Sequence, residues 1–193
     1  MRDMNTIAAL DIGSNAVRFL ICNIEESSDT KKCRKVAFLR VPVRLGEDVF
    51  TEGEISANRR MLLCEAMQGF SHLMKTFGVS EYRACATSSM REAKNGAEVL
   101  DEIREKSGIQ VEVISGLEEA EIIYAAGVSS AGSENWKDSL HVDVGGGSTE
   151  VVIYPGGRVA ESHSFRLGTV RILKNAVEKG DKELFKKELK KIG

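Results

Sequence analysis

Hydrophobic positions in the first part of the chain follow a strand pattern and then a helical one. Two apolar, β-branched runs, at residues 7–10 and 17–24, predict a β-hairpin. Residues 34–44 predict a third, mixed strand, and Pro42 places part of it at a sheet edge. Over residues 56–78 the apolar side chains recur at helical spacing. The chain is therefore expected to open as a β-meander followed by a long helix.

Strands and helices alternate in the rest of the chain. Strands are expected at residues 82–86, 111–114, 140–144, 150–154 and 159–165, and helices at 95–108, 115–128 and 180–193. Alternation of this kind after a hairpin predicts an α/β fold with a layered, mixed sheet. The last helix is rich in Lys and Glu, so we expect it to present a solvated face.

Composition narrows the class of protein. The chain has 193 residues, of which 42% are hydrophobic and 29% charged, as in one globular domain or one domain with part of another. It has no apolar run near the roughly 18 residues that a membrane span needs, and it does not begin like a signal peptide. A net charge of −2 is unlike that of generic nucleic-acid-binding proteins. We therefore expect a cytoplasmic protein that binds neither membranes nor generic nucleic acid.

The cysteines have no metal-binding spacing. They lie 11, 31 and 21 positions apart, without a C-x-x-C pair or a nearby histidine cluster. Cys22, Cys33, Cys64 and Cys85 are therefore expected to be reduced thiols that mostly fill the core.

An internal repeat relates two parts of the chain. Residues 10–21 align without gaps on residues 142–153, and both segments read apolar, Asp, apolar, Gly, small, small and then strand. Each predicts a hairpin turn that follows an aspartate, Asp11 or Asp143. Glycines let a phosphate approach the backbone, where successive N–H groups bind anions. Two copies thus predict two related domains with facing phosphate loops, although the first copy alone is also compatible with an ordinary tight hairpin.

The repeat also predicts the domain organisation. The first copy leads a unit of 132 residues, whereas only 50 residues follow Asp143. We expect a first domain at 1–128, a small, polar linker or hinge at 129–136, and the start of a truncated second domain at 137–193. Strands and helices missing from the second domain would leave apolar surface uncovered.

Five motifs occur in order along the chain. They are DIGSN at 11–15, T-x-x-x-R-x-A-x-N at 87–95, ISGLEEA at 114–120, DVGGGSTE at 143–150 and R-x-G at 166–168. Together they resemble the exopolyphosphatase and guanosine pentaphosphate phosphohydrolase (Ppx/GppA) family, in the superfamily of actin, sugar kinases and heat-shock chaperone ATPases. The resemblance implies ribonuclease-H-like, actin-like ATPase domains, of which the second is incomplete here.

The same resemblance implies a reaction. Family members hydrolyse a phosphoanhydride of inorganic polyphosphate or guanosine pentaphosphate (pppGpp), assisted by a divalent metal, usually Mg²⁺. A homodimer is expected only of a full-length member, because the family's dimers rest largely on parts absent from these 193 residues. The other functions left open are a non-catalytic module that binds polyphosphate or a guanosine alarmone, and an actin-like ATP-dependent kinase or ATPase.

The resemblance assigns the general base to Glu119. The spacing of Ser115 and Glu118 is that of a capping box, which explains Glu118 structurally. Glu119 is not needed for the box and matches the family's catalytic carboxylate. Its alternative role is a first-turn acid that complements the helix dipole.

The remaining candidates bind metal or phosphate. Asp143 and Glu150 flank the second glycine turn, where hard carboxylate oxygens suit Mg²⁺, and Asp11 can assist from the facing turn or cap its own backbone. The expected phosphate-binding residues are Ser14, Asn15, Arg91, Gly145, Gly146, Gly147 and Ser148. Weaker candidates are Arg18, Arg166, Arg40 and Arg44, and Asn95 is interpreted as an ordinary helix N-cap. Ala16 departs from the Ser or Thr that the family commonly has after its first GSN, which weakens the first turn's assignment.

Overall fold

A computed structural model of the protein describes residues 5–26, 31–131, 139–155, 160–174 and 177–192. The strands are β1 (Asn5–Ile12), β2 (Val17–Glu26), β3 (Lys31–Val41), β4 (Glu81–Ala86), β5 (Glu112–Val113), β6 (Ser139–Val144), β7 (Thr149–Tyr154) and β8 (Glu161–Phe165). The helices are α1 (Leu45–Glu52), α2 (Ala57–Thr76), α3 (Ser88–Glu92), α4 (Gly96–Ser107), α5 (Gly116–Ala131), α6 (Thr169–Leu173) and α7 (Lys179–Ile192).

The first sheet has five strands in the order β3-β2-β1-β4-β5. Strands β1, β2 and β3 are antiparallel neighbours, whereas β1 pairs in parallel with β4 and β4 with β5. The expected α/β fold with a mixed sheet is therefore confirmed, and β3 lies at the edge as Pro42 predicts. The carboxyl ends of β1 and β4 meet at one edge of the sheet, where ligands usually bind in such folds.

Helices α2 and α4 pack beside each other, and the main core lies between them and the first sheet. Phe19 of β2 stacks on Phe70 of α2 with ring centroids 4.6 Å apart. Ser56 caps α2 by accepting a hydrogen bond from the N–H of Arg59, as expected where a helical apolar pattern begins. The largest fully buried side chains of this core include Ile12, Ile21, Leu45, Leu63, Met67 and Ile103.

The second sheet has three antiparallel strands in the order β6-β7-β8. Helix α5 packs on it through a smaller core in which Tyr124 stacks on Tyr154, with ring centroids 3.7 Å apart. Strands β6, β7 and β8 repeat the antiparallel meander of β1, β2 and β3. The repeat found in the sequence is thus also a repeat of strand topology.

Three short helices, α1, α3 and α6, did not follow from the sequence. They have 8, 5 and 5 residues, too few to show a helical period. None of the helices in the described ranges combines the length and the apolar composition that crossing a membrane requires.

Three side chains differ from their predictions. Cys22 and Cys33 form a disulfide, with Cα atoms 5.8 Å apart, because strands β2 and β3 pair and bring the two residues together. The expectation of four reduced thiols is therefore wrong for this pair, while Cys64 and Cys85 are free. Asn95 precedes α4 but makes no capping bond through its side chain; its amide instead exchanges two 2.9 Å hydrogen bonds with the backbone of Ile55.

The expected linker falls only partly within the described residues. Helix α5 continues through Ala131, so the first three linker residues are helical, and 132–136 lie outside the described part. Residues 156–159, between the strands expected at 150–154 and 159–165, lie outside it as well. The domain boundary and the incompleteness of the second domain stay predictions.

Candidate active site

The two glycine turns have the same local geometry. In the turn after β1, the N–H of Gly13 donates to the carbonyl of Ala16 over 3.1 Å; in the turn after β6, the N–H of Gly145 donates to the carbonyl of Ser148 over 2.9 Å. These donors and acceptors are equivalent positions of the repeat. We call residues 13–16 the first loop and residues 145–148 the second loop.

The two loops pack directly against each other. A Cβ atom added to Gly146 would lie 3.0 Å from the Cβ of Ser14. One added to Gly147 would lie 2.5 Å from the ring of Phe50 and would collide with the hydroxyl of Ser88. Only glycine therefore permits this approach.

Between the loops lies a cavity of about 100 Å³, which we call the loop cavity. Its lining includes most of the predicted site residues: Asp11, Ser14, Asn15, Glu119, Asp143, Gly145, Gly146, Gly147 and Ser148. Two predicted residues, Arg91 and Glu150, are not among its lining residues. Facing loops were expected from the repeat alone, and the structure has them.

Glu119 reaches the loop cavity from the first turn of α5. Ser115 caps this helix by accepting a 3.1 Å hydrogen bond from the N–H of Glu118, whose carboxylate is bound by Arg83 at 2.7 Å. The carboxylate of Glu118 is therefore paired with Arg83 outside the loop cavity. The Oε2 atom of Glu119, by contrast, is buried and has no hydrogen-bond partner among the described residues.

The surroundings of Glu119 favour its protonated form. Burial, followed by the negative charges of Glu150 and Asp11, raises the pKa of Glu119 to about 7, against the opposing charge of Arg91. Glu119 also lines a neighbouring, mostly apolar cavity of about 410 Å³, together with residues such as Phe38 and Ile122. A carboxyl with a pKa near neutrality is suited to accept a proton.

Asp143 and Glu150 are directly opposite each other in the β6–β7 pair. Glu150 is almost wholly buried and accepts hydrogen bonds from the side chains of Ser164, at 2.9 Å, and Ser148. Burial nevertheless raises the pKa of Glu150 above its ordinary value. Ser164 was not predicted from the sequence, because no local pattern links β8 to Glu150.

The first loop is flanked differently. Where the second loop has Glu150 opposite Asp143, the first has Arg18 opposite Asp11, and the two form a 2.6 Å ion pair. The hydroxyl groups of Ser14 and Ser88 lie 2.9 Å apart and connect this loop to α3. Ser88 was missed because it occupies an unspecified position of its motif.

Arg91 lies beside the second loop rather than in the loop cavity. Its guanidinium donates to the carbonyl of Ile114 over 2.6 Å and borders a second cavity of about 500 Å³, shared with Ser148, Ser164 and Arg166. Of the weaker candidates, Arg18 lines the loop cavity and Arg166 the second one. Arg44 supports the first loop through its backbone, by donating from its N–H to the carbonyl of Asn15 at 2.9 Å.

The donor set fits a loosely held Mg²⁺. Within the described residues there is no cluster of three side chains that could hold a metal alone. Mg²⁺, however, usually takes one or two carboxylates and completes its shell with water and substrate phosphates. Asp143, which lines the loop cavity together with Glu119, can supply such a carboxylate.

Comparison with known proteins identifies the family. The model of the Ppx/GppA phosphatase family matches residues 23–192, and the chain belongs to this family. The family expected from the five motifs is thereby confirmed.

Solved structures agree with the family assignment. The chain is 30% identical to a family member from Aquifex aeolicus, with a TM-score of 0.75, over 87% of this chain and 53% of that one. A Ppx/GppA enzyme from the same organism is 29% identical, with a TM-score of 0.79 over 98% and 64%. An exopolyphosphatase from Cytophaga hutchinsonii, 24% identical, shares the fold with a TM-score of 0.78 over 97% and 60%. The chain thus spans between half and two thirds of the length of these proteins.

Proposed function

We propose that the protein is a cytoplasmic, metal-dependent hydrolase of phosphoanhydride bonds, which releases the terminal phosphate of inorganic polyphosphate, pppGpp or both. One observation carries the proposal: a buried carboxyl group with a pKa of about 7 lies in a cavity between two glycine loops. Membership of a phosphatase family supports the same reaction class.

The loops bind the phosphate groups in this proposal. Backbone N–H groups of the second loop, including that of Ser148, and the hydroxyl group of Ser14 donate hydrogen bonds to phosphate oxygens. The cavity holds only a small group, about 100 Å³, so a terminal phosphate enters it and the rest of the substrate remains outside. Arg91, beside Ser148, contributes positive charge at the adjoining cavity.

Glu119 activates the attacking water in this proposal. Its Oε2 has no hydrogen-bond partner among the residues that the structure describes, and it takes one proton from a water that attacks the terminal phosphorus. Asp143, with Asp11 and Glu150 as the other candidate ligands, would hold Mg²⁺, which neutralises phosphate charge when bound. Ser164 and Ser148 fix the carboxylate of Glu150 behind the second loop.

The test is phosphate release from the protein and two glutamate variants. Orthophosphate is measured with Mg²⁺ and inorganic polyphosphate, pppGpp or ATP as the substrate. Glu119→Gln is expected to lower kcat by about 10²–10⁴-fold, because it removes the proton acceptor. Glu118→Gln is the matched control: it alters the neighbouring carboxylate, which binds Arg83 outside the cavity, and is expected to leave kcat nearly unchanged.

The outcomes separate the competing functions. Loss of polyphosphate or pppGpp hydrolysis in Glu119→Gln alone supports the proposal. Full activity of Glu119→Gln would contradict the assignment of the base. Binding of polyphosphate or pppGpp without phosphate release would indicate a binding module, and release from ATP alone would indicate an actin-like ATPase.

A further inference from the structure

Arg171 is a buried arginine behind the second loop. It lies on α6, and only 3% of its surface is exposed. Its Nε donates to the carbonyl of Gly147 over 2.9 Å, and its second guanidinium nitrogen donates to Glu92 over 2.6 Å. The guanidinium plane also lies 3.9 Å from the ring centre of Phe50. A buried charge persists only where such partners compensate it.

The start of α6 holds the other two glycine carbonyls. The N–H of Thr169 donates to the carbonyl of Gly145, and the N–H of Val170 donates to that of Gly146, both over 2.9 Å. With the bond from Arg171 to Gly147, three successive carbonyls of the second loop accept hydrogen bonds from one short segment. These bonds orient the backbone of the whole loop.

Peptide geometry links these carbonyls to the phosphate side of the loop. In a trans peptide the carbonyl and the following N–H point in opposite directions. Because these carbonyls point toward α6, the N–H groups of Gly146, Gly147 and Ser148 point to the opposite side of the loop. Of these bonds, the one to Gly147 comes from a side chain and can be altered by a single substitution.

The partners of Arg171 come from elements beside the first sheet. Glu92 ends α3 and Phe50 lies on α1, and both helices precede the second sheet in the chain. Glu92 also binds Arg166 over 2.8 Å. Through Arg171, elements of the first half of the molecule therefore fix a peptide of the second loop.

We infer that Arg171 is a positioning residue for the second loop and that Glu92 is its anchor. Arg171 contacts the loop on its carbonyl side, at Gly147, and thereby orients the N–H groups of the loop that bind phosphate in the proposed function. This inference rests on the proposed function for its catalytic consequence, while the effect on the loop itself does not. In a folded variant, loss of either residue loosens the orientation of the Gly147–Ser148 peptide.

The test compares Arg171→Lys and Glu92→Gln with Arg60→Met. Lysine keeps the charge but cannot donate to Gly147 and Glu92 with the same planar group while stacking on Phe50. Arg60→Met is the matched control, because Arg60 forms a partly buried, 2.8 Å ion pair with Glu102 between α2 and α4, away from both loops. Two properties are measured in each: the backbone amide NMR signals of the second loop, and the affinity for inorganic tripolyphosphate with Mg²⁺.

We expect Arg171→Lys and Glu92→Gln to shift the amide signals of Gly147 and Ser148 and to weaken tripolyphosphate binding by about 10- to 100-fold, since small displacements at such sites have large effects. Arg60→Met should lower the melting temperature without either change. If Arg171→Lys does not fold, Glu92→Gln alone decides. Folded variants with the amide signals and the affinity of the unaltered protein would overturn the inference.

The same measurements distinguish failure of the proposed function. If the unaltered protein neither binds tripolyphosphate nor releases phosphate, the proposed function fails. The amide signals of the second loop then still report whether Arg171 and Glu92 orient it, since this readout needs no ligand.

Discussion

At the scale of single residues, Glu119 combines helix-capping geometry with unfavourable electrostatics. Its backbone N–H donates to the carbonyl of Ser115 over 3.0 Å as part of an ordinary helix start. Its carboxyl, however, is buried near Glu150, Asp11 and Asp143, and the positive charge of Arg91 offsets their effect on its pKa only in part. A carboxylate in this position lowers the stability of the fold and leaves a group that readily accepts a proton.

The unfavourable burial of the Glu119 carboxylate predicts how the stability of the protein depends on pH. The pKa of Glu119 is about 7 in the folded protein, against an ordinary value of 4.5. Between pH 4.5 and pH 7 the folded state therefore binds this proton more tightly than the unfolded state does. The contribution of Glu119 to stability is therefore present below pH 4.5 and is lost as the pH rises to 7. We expect Glu119→Gln, without divalent cations, to be more stable than the unaltered protein at pH 8 by on the order of 1–3 kcal/mol.

The measurement is denaturant unfolding of both proteins from pH 5 to 8. The difference in the free energy of unfolding should grow with pH and level off above pH 7. A constant difference across this range would show that Glu119 is not the group responsible. Glu118→Gln is the matched control, because it replaces the neighbouring carboxylate, which binds Arg83 outside the loop cavity.

At the scale of elements, short helices hold the two loops in place. The first loop is bound by the start of α1, where the N–H of Gly46 donates to the carbonyl of Ser14 over 2.8 Å. The second loop is bound by the start of α6 in the same manner. The two glycine loops are therefore supported by equivalent but separately encoded elements.

Gly147 and Gly69 differ in the space around them, which predicts opposite effects of a Gly→Ala substitution at the two positions. In Gly147→Ala the new methyl group would collide with Ser88 and Phe50, so we expect lower stability and weaker tripolyphosphate binding. Gly69→Ala lies in α2, where a Cβ would meet nothing within 4 Å, and should stabilise the protein by up to about 1 kcal/mol.

Thermal unfolding and calorimetric titration with tripolyphosphate measure both effects. Gly69→Ala serves as the control for the added methyl group. Unchanged stability and affinity in Gly147→Ala would mean that the loops do not need this close approach.

At the scale of the whole molecule, the second sheet is less covered than the first. Strand β1 lies between β2 and β4, whereas its counterpart β6 pairs only with β7 among the described strands. One face of β6 exposes three apolar side chains: Leu140, Val142 and Val144, each about half exposed. An edge strand with exposed apolar side chains promotes association.

This exposed edge predicts that the chain self-associates at high concentration. Val142→Lys places a charge on β6 and is expected to keep the protein monomeric to higher concentrations. Leu62→Lys is the matched control: Leu62 is 45% exposed on α2, against 48% for Val142, but a helix has no free strand edge. Sedimentation over a concentration series measures the effect, and equal behaviour of both variants would exclude β6 as the cause.

Much of the fold and part of the site followed from the sequence. The long periodic helix α2, the two hairpins and the paired loops were all predicted, because each shows a regular or repeated pattern of residue types in the sequence. Helix α6 and the disulfide were not: α6 is too short to show a period, and Cys22 and Cys33 meet only through the β2–β3 pairing. Arg171 carries no local signal, since its role depends on Gly147 and Glu92.

The sequence by itself determined the order of the strands and of the longer helices, the twin glycine loops and, through its motifs, the family. These properties depend on residue types at short, regular spacings. Only the tertiary structure decided that Glu119 is buried among other acids and that α6 and Arg171 hold the second loop. Both depend on distances through space between residues far apart in the chain, where burial and charge act regardless of sequence separation.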